Sequence, residues 1–183
     1  MIILGVDLGH KRTGLSVCDI TETMARPLTV LIEKDMDKLC FQVARVAITL
    51  RAGVIVVGLP KNMDGSEGES AKFAREMGAK IGEQSGVPVE FVDERGTTIT
   101  ANHLLNETNT RGRKRKAVVD GVAATIILED YLARRRNLAE AEARAAEEAA
   151  AAEAAENAEE NTEEAIEEGA EENTEQAGGV QPT

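Results

Sequence analysis

One short segment, from Gly53 to Gly58, limits the possible folds more than any other part of the chain. Its residues are nearly all apolar and β-branched, as expected of a strand buried on both faces of a sheet. Helical patterns lie on either side of it. Apolar residues recur at spacings of three and four from Met36 to Leu50, and a capping-box pattern from Ser66 to Glu69 predicts a helix that ends near Gln84. These patterns indicate an α/β fold.

Four other segments predict strands. Ile2 to Leu8 and Gly14 to Cys18 are separated by a short polar turn, which favours an antiparallel hairpin. Pro27 to Glu33 predicts a third strand, and Val87 to Val92 predicts another buried one. Three antiparallel strands followed by two that alternate with helices give a mixed five-stranded sheet with helices on both faces.

Two more helices are predicted after the last strand. Thr97 or Thr98 can cap a short helix that ends near Asn106. A basic, glycine-containing loop follows from Asn109 to Lys116. The final helix is amphipathic, with an apolar stripe formed by Val118, Val119, Val122, Ala123, Ile126, Ile127 and Leu132.

The net charge of −12 combines two unlike regions. From Leu138 onward the chain carries fifteen Glu and one Arg, whereas the preceding 137 residues carry 20 Lys and Arg against 18 Asp and Glu. The folded domain, predicted as residues 1–137, is therefore slightly basic, and this charge permits binding to nucleic acid. Residues 138–183 contain almost no Leu, Ile or Val that could dock a helix face. We expect them to form a disordered or partly helical acidic tail that affects nucleic-acid affinity only through repulsion.

Two cysteines, Cys18 and Cys40, lie in apolar segments and are predicted to be reduced thiols of the core. No basic segment precedes the first apolar strand, so a signal peptide is not expected. The apolar runs are shorter than the roughly 20 residues of a membrane span. The sequence thus predicts a cytoplasmic protein with no membrane partner.

Carboxylates occur at three places where they need a partner. Asp7 lies near the end of an apolar strand, Asp93 and Glu94 follow the last strand, and Asp120 lies among apolar residues of the final helix. Each has an ordinary structural explanation: Asp7 could end its strand, Glu94 could pair with Arg95, and Asp120 could interact with the helix dipole.

Taken together, the three places indicate a metal site. Parallel strands carry their ends to the same sheet edge, and the final helix can pack across that edge. Converging carboxylates repel one another unless a divalent cation lies between them. We expect Mg²⁺, with Mn²⁺ as the second choice, because carboxylate and phosphate oxygens are its preferred ligands. Such an ion supports phosphodiester hydrolysis.

Basic residues next to these carboxylates could bind a nucleic-acid backbone. Five of the six residues from 111 to 116 are basic, and their binding to phosphate should weaken steeply with salt. The same segment could also be a solvated loop, and the turn that carries Lys61 could be only a turn. The predicted contacts are Lys11, Lys61, Arg95, Arg111, Arg113, Lys114, Arg115 and Lys116.

Four motifs in order resemble the YqgF family, also called RuvX. They are Gly5-Val6-Asp7-Leu8-Gly9 with Lys11 and Gly14; Val57-Gly58-Leu59-Pro60 with Asn62-Met63-Asp64-Gly65-Ser66; Asp93-Glu94-Arg95 with Thr97-Thr98; and Lys116 with Asp120, Ala123-Ala124 and Ile127-Leu128. The resemblance covers about residues 1 to 135. Gly96 departs from it, since an apolar residue is expected there, and the acidic tail lies outside it.

The resemblance implies a ribonuclease-H-like fold and a bacterial cytoplasmic nuclease that trims the 5′ end of pre-16S rRNA, with ribosomal assembly particles as partners. It also implies that Asp7, Glu94 and Asp120 form the acidic catalytic and metal-binding site. Asp93 remains a rival to Glu94, because adjacent strand residues point to opposite faces.

Three other functions are compatible with parts of the sequence. Family members are also described as Holliday junction resolvases, so branched DNA is the alternative substrate. A ribosome-assembly factor without catalytic activity could use the basic loop alone. An Asp-x-Gly hairpin also occurs in actin-like and sugar-kinase ATPases, but those proteins need two such domains and this chain is long enough for one.

Overall fold

Five strands form one sheet in the computed structural model. The model describes the backbone of residues 1–93 and 113–177 and the side chains of residues 1–93 and 121–154. The strands are β1 (Ile3–Leu8), β2 (Thr13–Cys18), β3 (Ala25–Leu31), β4 (Val54–Leu59) and β5 (Val89–Asp93). Their order across the sheet is β3-β2-β1-β4-β5.

The sheet is mixed, as predicted. β1 and β2 form the predicted antiparallel hairpin, in which Asp7 pairs with Gly14, and β2 pairs antiparallel with β3. β4 runs parallel to both β1 and β5. The carboxyl ends of β1, β4 and β5 therefore lie along one edge of the sheet, named here the carboxyl edge.

Three helices are described: α1 (Met36–Leu50), α2 (Glu69–Ser85) and α3 (Arg113–Ala177). The Asp35 carboxylate caps α1 by accepting from the backbone N–H groups of Asp37 and Lys38. α2 ends at Gly86, whose φ of 69° is readily adopted by glycine. None of the described helices combines the length and the apolar character needed to cross a membrane.

The two faces of the sheet pack against different helices, which confirms helices on both faces. One face carries Leu4, Val6, Ile55 and Val57 and forms a core with α1 and α2. The other face packs against apolar residues of α3, and that second core contains Ile3, Cys18, Val54, Val56, Val92, Ile127, Leu128, Tyr131 and Leu132. Cys18 and Cys40 are both buried and free, as predicted, and burial raises the pKa of each thiol.

The start of α2 was predicted wrongly. Ser66 does not cap the helix, which begins at Glu69 with Gly68 as its N-cap residue. The Ser66 hydroxyl instead donates to the Asp64 carboxylate at 2.6 Å and accepts from the Asn62 side-chain amide at 2.9 Å. Local side-chain hydrogen bonds of this kind compete with helix capping.

Other predicted boundaries also shift. β3 begins at Ala25 rather than Pro27, because the Asp19 carboxylate accepts from the backbone of Thr23 and Met24 and closes a short turn before it. β5 is a half-exposed edge strand rather than a buried one. Residues 113–116 belong to α3 rather than to a loop, since Lys and Arg favour helices. The short helix predicted near Thr97 lies outside the described residues.

The chain divides into two compact units, Met1–Arg135 and Arg136–Thr183. In the second unit, α3 continues to Ala177 through sequence rich in Ala and Glu, both strong helix formers. The side chains of residues 136–154 are all exposed.

Candidate active site

Asp7 lies at the carboxyl edge, one residue beyond the paired part of β1 and β4. That pairing ends at Val6 with Val57, so Asp7 is level with Gly58, which itself pairs with Val92 of β5. The Asp7 side chain is half-buried. Alternation along β1 sends Leu4 and Val6 into the core with α1 and α2, and Asp7 to the opposite face, which α3 covers.

Two small residues bring α3 close to this face of β1 and β2. A Cβ atom at Gly5 would lie 2.9 Å from Leu128 Cβ and 3.1 Å from the carbonyl oxygen of Ala124, and it would also overlap the Ser16 hydroxyl. The buried Ser16 hydroxyl donates to the same Ala124 carbonyl at 2.7 Å. The helix backbone therefore rests directly on the sheet two residues before Asp7.

The direction of α3 follows from its contacts at two points. Arg135 Nε donates to the Glu22 carboxylate at 2.9 Å, and Glu22 also accepts from the Met1 ammonium at 2.8 Å. Arg135 is therefore near the start of β1, whereas Ala124 is at Gly5, farther along that strand. α3 consequently runs antiparallel to β1, and its preceding turns lead toward the carboxyl edge.

The third predicted carboxylate position lies in one of those turns. Asp120 belongs to α3, four residues before Ala124, and its side chain lies outside the described residues. Glu94, Arg95 and Arg111 lie outside them altogether. Within the described side chains no three His, Cys, Asp or Glu are close enough to hold a metal ion, and Asp7 is the only predicted ligand among them.

Asp93, the rival of Glu94, is on the other face of the sheet. Val92 belongs to the core beneath α3. Glu90 is on the same side of β5, near Tyr131 of α3: burial and then the Glu90 carboxylate raise the pKa of the Tyr131 hydroxyl. Phe91 packs instead against the core beneath α1 and α2. By alternation Asp93 shares the face of Phe91, not the face of Asp7.

Two predicted phosphate contacts are described with their side chains. Lys11 is exposed in the turn between β1 and β2, where Gly9 N–H donates to the Arg12 carbonyl. The sequence did not reveal that His10 in this turn packs against Phe73 of α2, with ring centroids 4.5 Å apart. Arg113, Lys114, Arg115 and Lys116 are in the first turns of α3, and their side chains are not described.

Lys61 follows β4 at the same edge and belongs to a charged cluster that the sequence also did not reveal. Its ammonium lies 3.9 Å from the Glu67 carboxylate, which accepts two hydrogen bonds from Arg75. Arg75 holds the pKa of Glu67 below its usual value, and Glu67 raises the pKa of Arg75. Glu67 precedes α2, so the pair lacks the spacing of three or four residues that marks ion pairs within helices.

Comparison with known proteins identifies the family. The profile of the RuvX family, described as Holliday junction resolvase, matches residues 1–134. The chain belongs to the RuvX family.

Curated relatives of this RuvX chain carry a provisional name, pre-16S rRNA nuclease. One from Anaeromyxobacter sp. strain Fw109-5 is 42% identical over 135 residues, which cover 72% of this chain and 96% of the relative. One from Clostridium botulinum strain Eklund 17B is 40% identical over 134 residues, which cover 73% and 98%. Both family descriptions name a nuclease, so this RuvX protein is an enzyme of the hydrolase class.

A solved structure agrees with the fold. RuvC of Thermus thermophilus, in complex with a Holliday junction substrate, superposes with a TM-score of 0.50 at 17% identity, covering 74% of this chain and 96% of RuvC. The fold of the RuvX chain is therefore ribonuclease-H-like, as predicted.

Proposed function

We propose that this nuclease depends on a divalent metal, Mg²⁺ first and Mn²⁺ second, held by Asp7, Glu94 and Asp120. The observation that carries the proposal is the position of Asp7. It brings a half-buried carboxylate to the carboxyl edge, on the face that α3 covers. Carboxylate oxygens fit the oxygen coordination of either ion.

The packing of α3 supports Asp120 as a second ligand. From the Gly5–Ala124 contact, Asp7 is two strand residues away, about 6.6 Å. Asp120 is four helix residues away, about 6 Å, and α3 runs antiparallel to β1. The two displacements have similar lengths and α3 runs antiparallel to β1, so we place both residues at a single site.

The alternation of β5 supports Glu94 over Asp93. Val92 faces α3 and Asp93 faces the other side, so we assign the face of Asp7 to Glu94, the next residue in the alternation. In this proposal Asp93 is not a ligand.

Each group then has a defined task in hydrolysis. The three carboxylates bind and orient the ion, which when bound makes water nucleophilic and stabilises the leaving oxygen. Lys11, Lys61, Arg95 and Arg111, with the basic side chains of residues 113–116, neutralise backbone phosphates. Binding should therefore weaken as salt increases.

The favoured substrate is the 5′ region of pre-16S rRNA, since the curated relatives carry that name. Such processing places the enzyme in the cytoplasm, with ribosomal assembly particles as partners. A four-way DNA junction is the second candidate, because the family profile is described by that activity. We assign catalysis to residues 1–137, and we assign to the acidic tail, residues 138–183, a repulsive effect on affinity.

One assay tests both substrates. The full chain is incubated with a pre-16S 5′ leader and with a four-way DNA junction, each with Mg²⁺ and with EDTA, and Asp7→Asn is the control. We expect Mg²⁺-dependent cleavage of the leader that the variant lacks. Symmetric cleavage of the junction alone would reverse the choice of substrate, and equal cleavage in EDTA would overturn the metal requirement.

A further inference from the structure

A half-buried carboxylate, Glu67, lies between two cations beyond the end of β4. Arg75 Nε donates to Glu67 Oε2 at 2.7 Å, and Arg75 Nη2 donates to Oε1 at 2.6 Å. The Lys61 ammonium is 3.9 Å from Oε1. Two short hydrogen bonds from a guanidinium are a strong interaction, whereas the longer contact to the ammonium is weak. Glu67 is thus neutralised by Arg75, and Lys61 is held only loosely.

Arg75 is fixed on its other side as well. Its guanidinium carbon lies 5.0 Å from the centre of the Phe91 ring, which is within the range of a cation–π contact. Phe91 in turn packs against the core beneath α1 and α2. An arginine held by a carboxylate and by an aromatic ring is poorly placed to reach for a ligand. The flexible side chain of Lys61 has no comparable restraint.

Lys61 also has the better location for a phosphate contact. It follows β4, the strand between β1 and β5, at the edge where Asp7 lies. About a quarter of its side chain is exposed to solvent.

We propose that Arg75 is a positioning residue: by neutralising Glu67, it leaves the Lys61 ammonium available to contact a backbone phosphate of the nucleic acid at the carboxyl edge. The proposal rests on the proposed function in taking nucleic acid as the ligand. Without Arg75, the Glu67 carboxylate draws Lys61 into a close ion pair, so the Lys61 charge is no longer available to a phosphate. Removal of Glu67 as well frees Lys61 again.

Binding of a fluorescein-labelled RNA duplex to the full chain tests this in EDTA, where cleavage does not interfere. Affinity is measured from about 50 to 200 mM salt, because each lost phosphate contact lowers the slope of log K against log salt by about 0.7 to 0.9. We expect Lys61→Ala to show this change and to bind about five- to ten-fold more weakly at 100 mM salt. Arg75→Ala should reproduce most of the loss.

The double variant Glu67→Ala/Arg75→Ala distinguishes positioning from a structural role. It should recover the wild-type salt slope, although it lacks two contacts and unfolds at a lower temperature. Lys61→Ala/Arg75→Ala should lose only a little more affinity than Lys61→Ala alone, because its Lys61 contact is already absent and only the unpaired Glu67 charge is added. Lys38→Ala, which removes an exposed positive charge from α1, is the matched control and should keep the wild-type slope. Arg75→Gln replaces Arg75→Ala if the latter does not fold.

Three results would overturn the proposal. They are wild-type binding by Lys61→Ala, wild-type binding by Arg75→Ala, or binding by Glu67→Ala/Arg75→Ala that is as weak as binding by Arg75→Ala. Cleavage of the leader RNA by the wild type in Mg²⁺ is scored separately. If the leader is not cleaved but the single and double variants bind as expected, the proposed function is contradicted and the role of Arg75 is supported. Normal cleavage with no coupling among these residues contradicts only the role of Arg75.

Discussion

The two faces of the sheet differ in what their side chains do. Toward α1 and α2, β1 presents Leu4 and Val6, both fully buried in an apolar core. Toward α3, the same strand presents Gly5 and then Asp7, and the neighbouring strand adds Ser16. Along β1 the face toward α1 and α2 thus serves stability alone, whereas the face toward α3 begins with the buried Ile3 and reaches the candidate ligand Asp7 at the carboxyl edge. The following substitutions test whether the two roles separate this cleanly.

The largest expected effect is on catalysis, from Asp7→Asn. Metal-dependent cleavage should fall at least about 100-fold, since loss of groups that only support metal ligands already costs 10- to 100-fold. Single-turnover cleavage of the leader RNA measures the loss. Asp93→Asn, which removes a carboxylate from the opposite face, is the matched control and should stay within a few-fold of wild type. An equal loss in both variants would refute the separation of the faces.

Leu4→Ala tests the stabilising face. The Leu4 side chain is fully buried, so its truncation should lower the free energy of unfolding by about 3 kcal/mol. Urea denaturation measures this change. Cleavage per folded molecule should remain close to wild type, and a large drop in that quantity would show that this core also shapes the site.

Gly5→Ala affects both roles, because Gly5 is where α3 touches β1. The added methyl would overlap Ser16 and lie 2.9 Å from Leu128 Cβ, so α3 must shift, at a cost of about 1–3 kcal/mol. Cleavage per folded molecule should fall as well, because that shift moves the turn of Asp120. Gly121→Ala is the matched glycine control: its methyl would meet Pro27 Cβ at an ordinary 3.5 Å, and no destabilisation is expected. Unchanged cleavage by Gly5→Ala would contradict the link between this contact and the site.

The smallest effect concerns Glu22, which joins α3 to the other end of β1. The Met1 ammonium and Arg135 lower the pKa of the Glu22 carboxyl from its usual 4.5. Because the folded-state pKa is the lower one, the stabilisation is complete above pH 4.5 and is lost as pH falls through that lower value. Glu22→Gln should therefore cost under about 1 kcal/mol near pH 6 and progressively less in acid. Urea denaturation of the wild type and Glu22→Gln, near pH 6 and at a pH below the Glu22 pKa, measures this cost. A cost that does not change with pH would argue against the ion pair.

Most of the fold could be predicted from the sequence because its patterns are local. Burial determines both the β-branched run around Val56 and the apolar periodicity of α1, so both patterns can be recognised within a single segment. Predictions were wrong where local signals compete, as at Ser66, whose hydroxyl bonds within a turn instead of capping α2. The half-exposed character of β5 depends on strand order, which no single segment encodes.

The site was predictable only in part, for a similar reason. An aspartate in an apolar strand is conspicuous, so Asp7 could be found from its neighbours. The close approach of α3 at Gly5 and Ser16, and the link from Lys61 through Glu67 to Arg75, depend on contacts between distant segments. Residue types alone give no sign of those contacts.

Titration of the protein with Mn²⁺, with the heat of binding measured by calorimetry, is the most direct test of the central claim. That claim is that Asp7 shares a metal ion with Glu94 and Asp120. The full-length wild type and Asp93→Asn should bind the ion alike. Asp7→Asn, Glu94→Gln and Asp120→Asn should each weaken binding at least about ten-fold while remaining folded. Undiminished binding by Asp7→Asn, or loss of binding in Asp93→Asn but not in Glu94→Gln, would contradict the account.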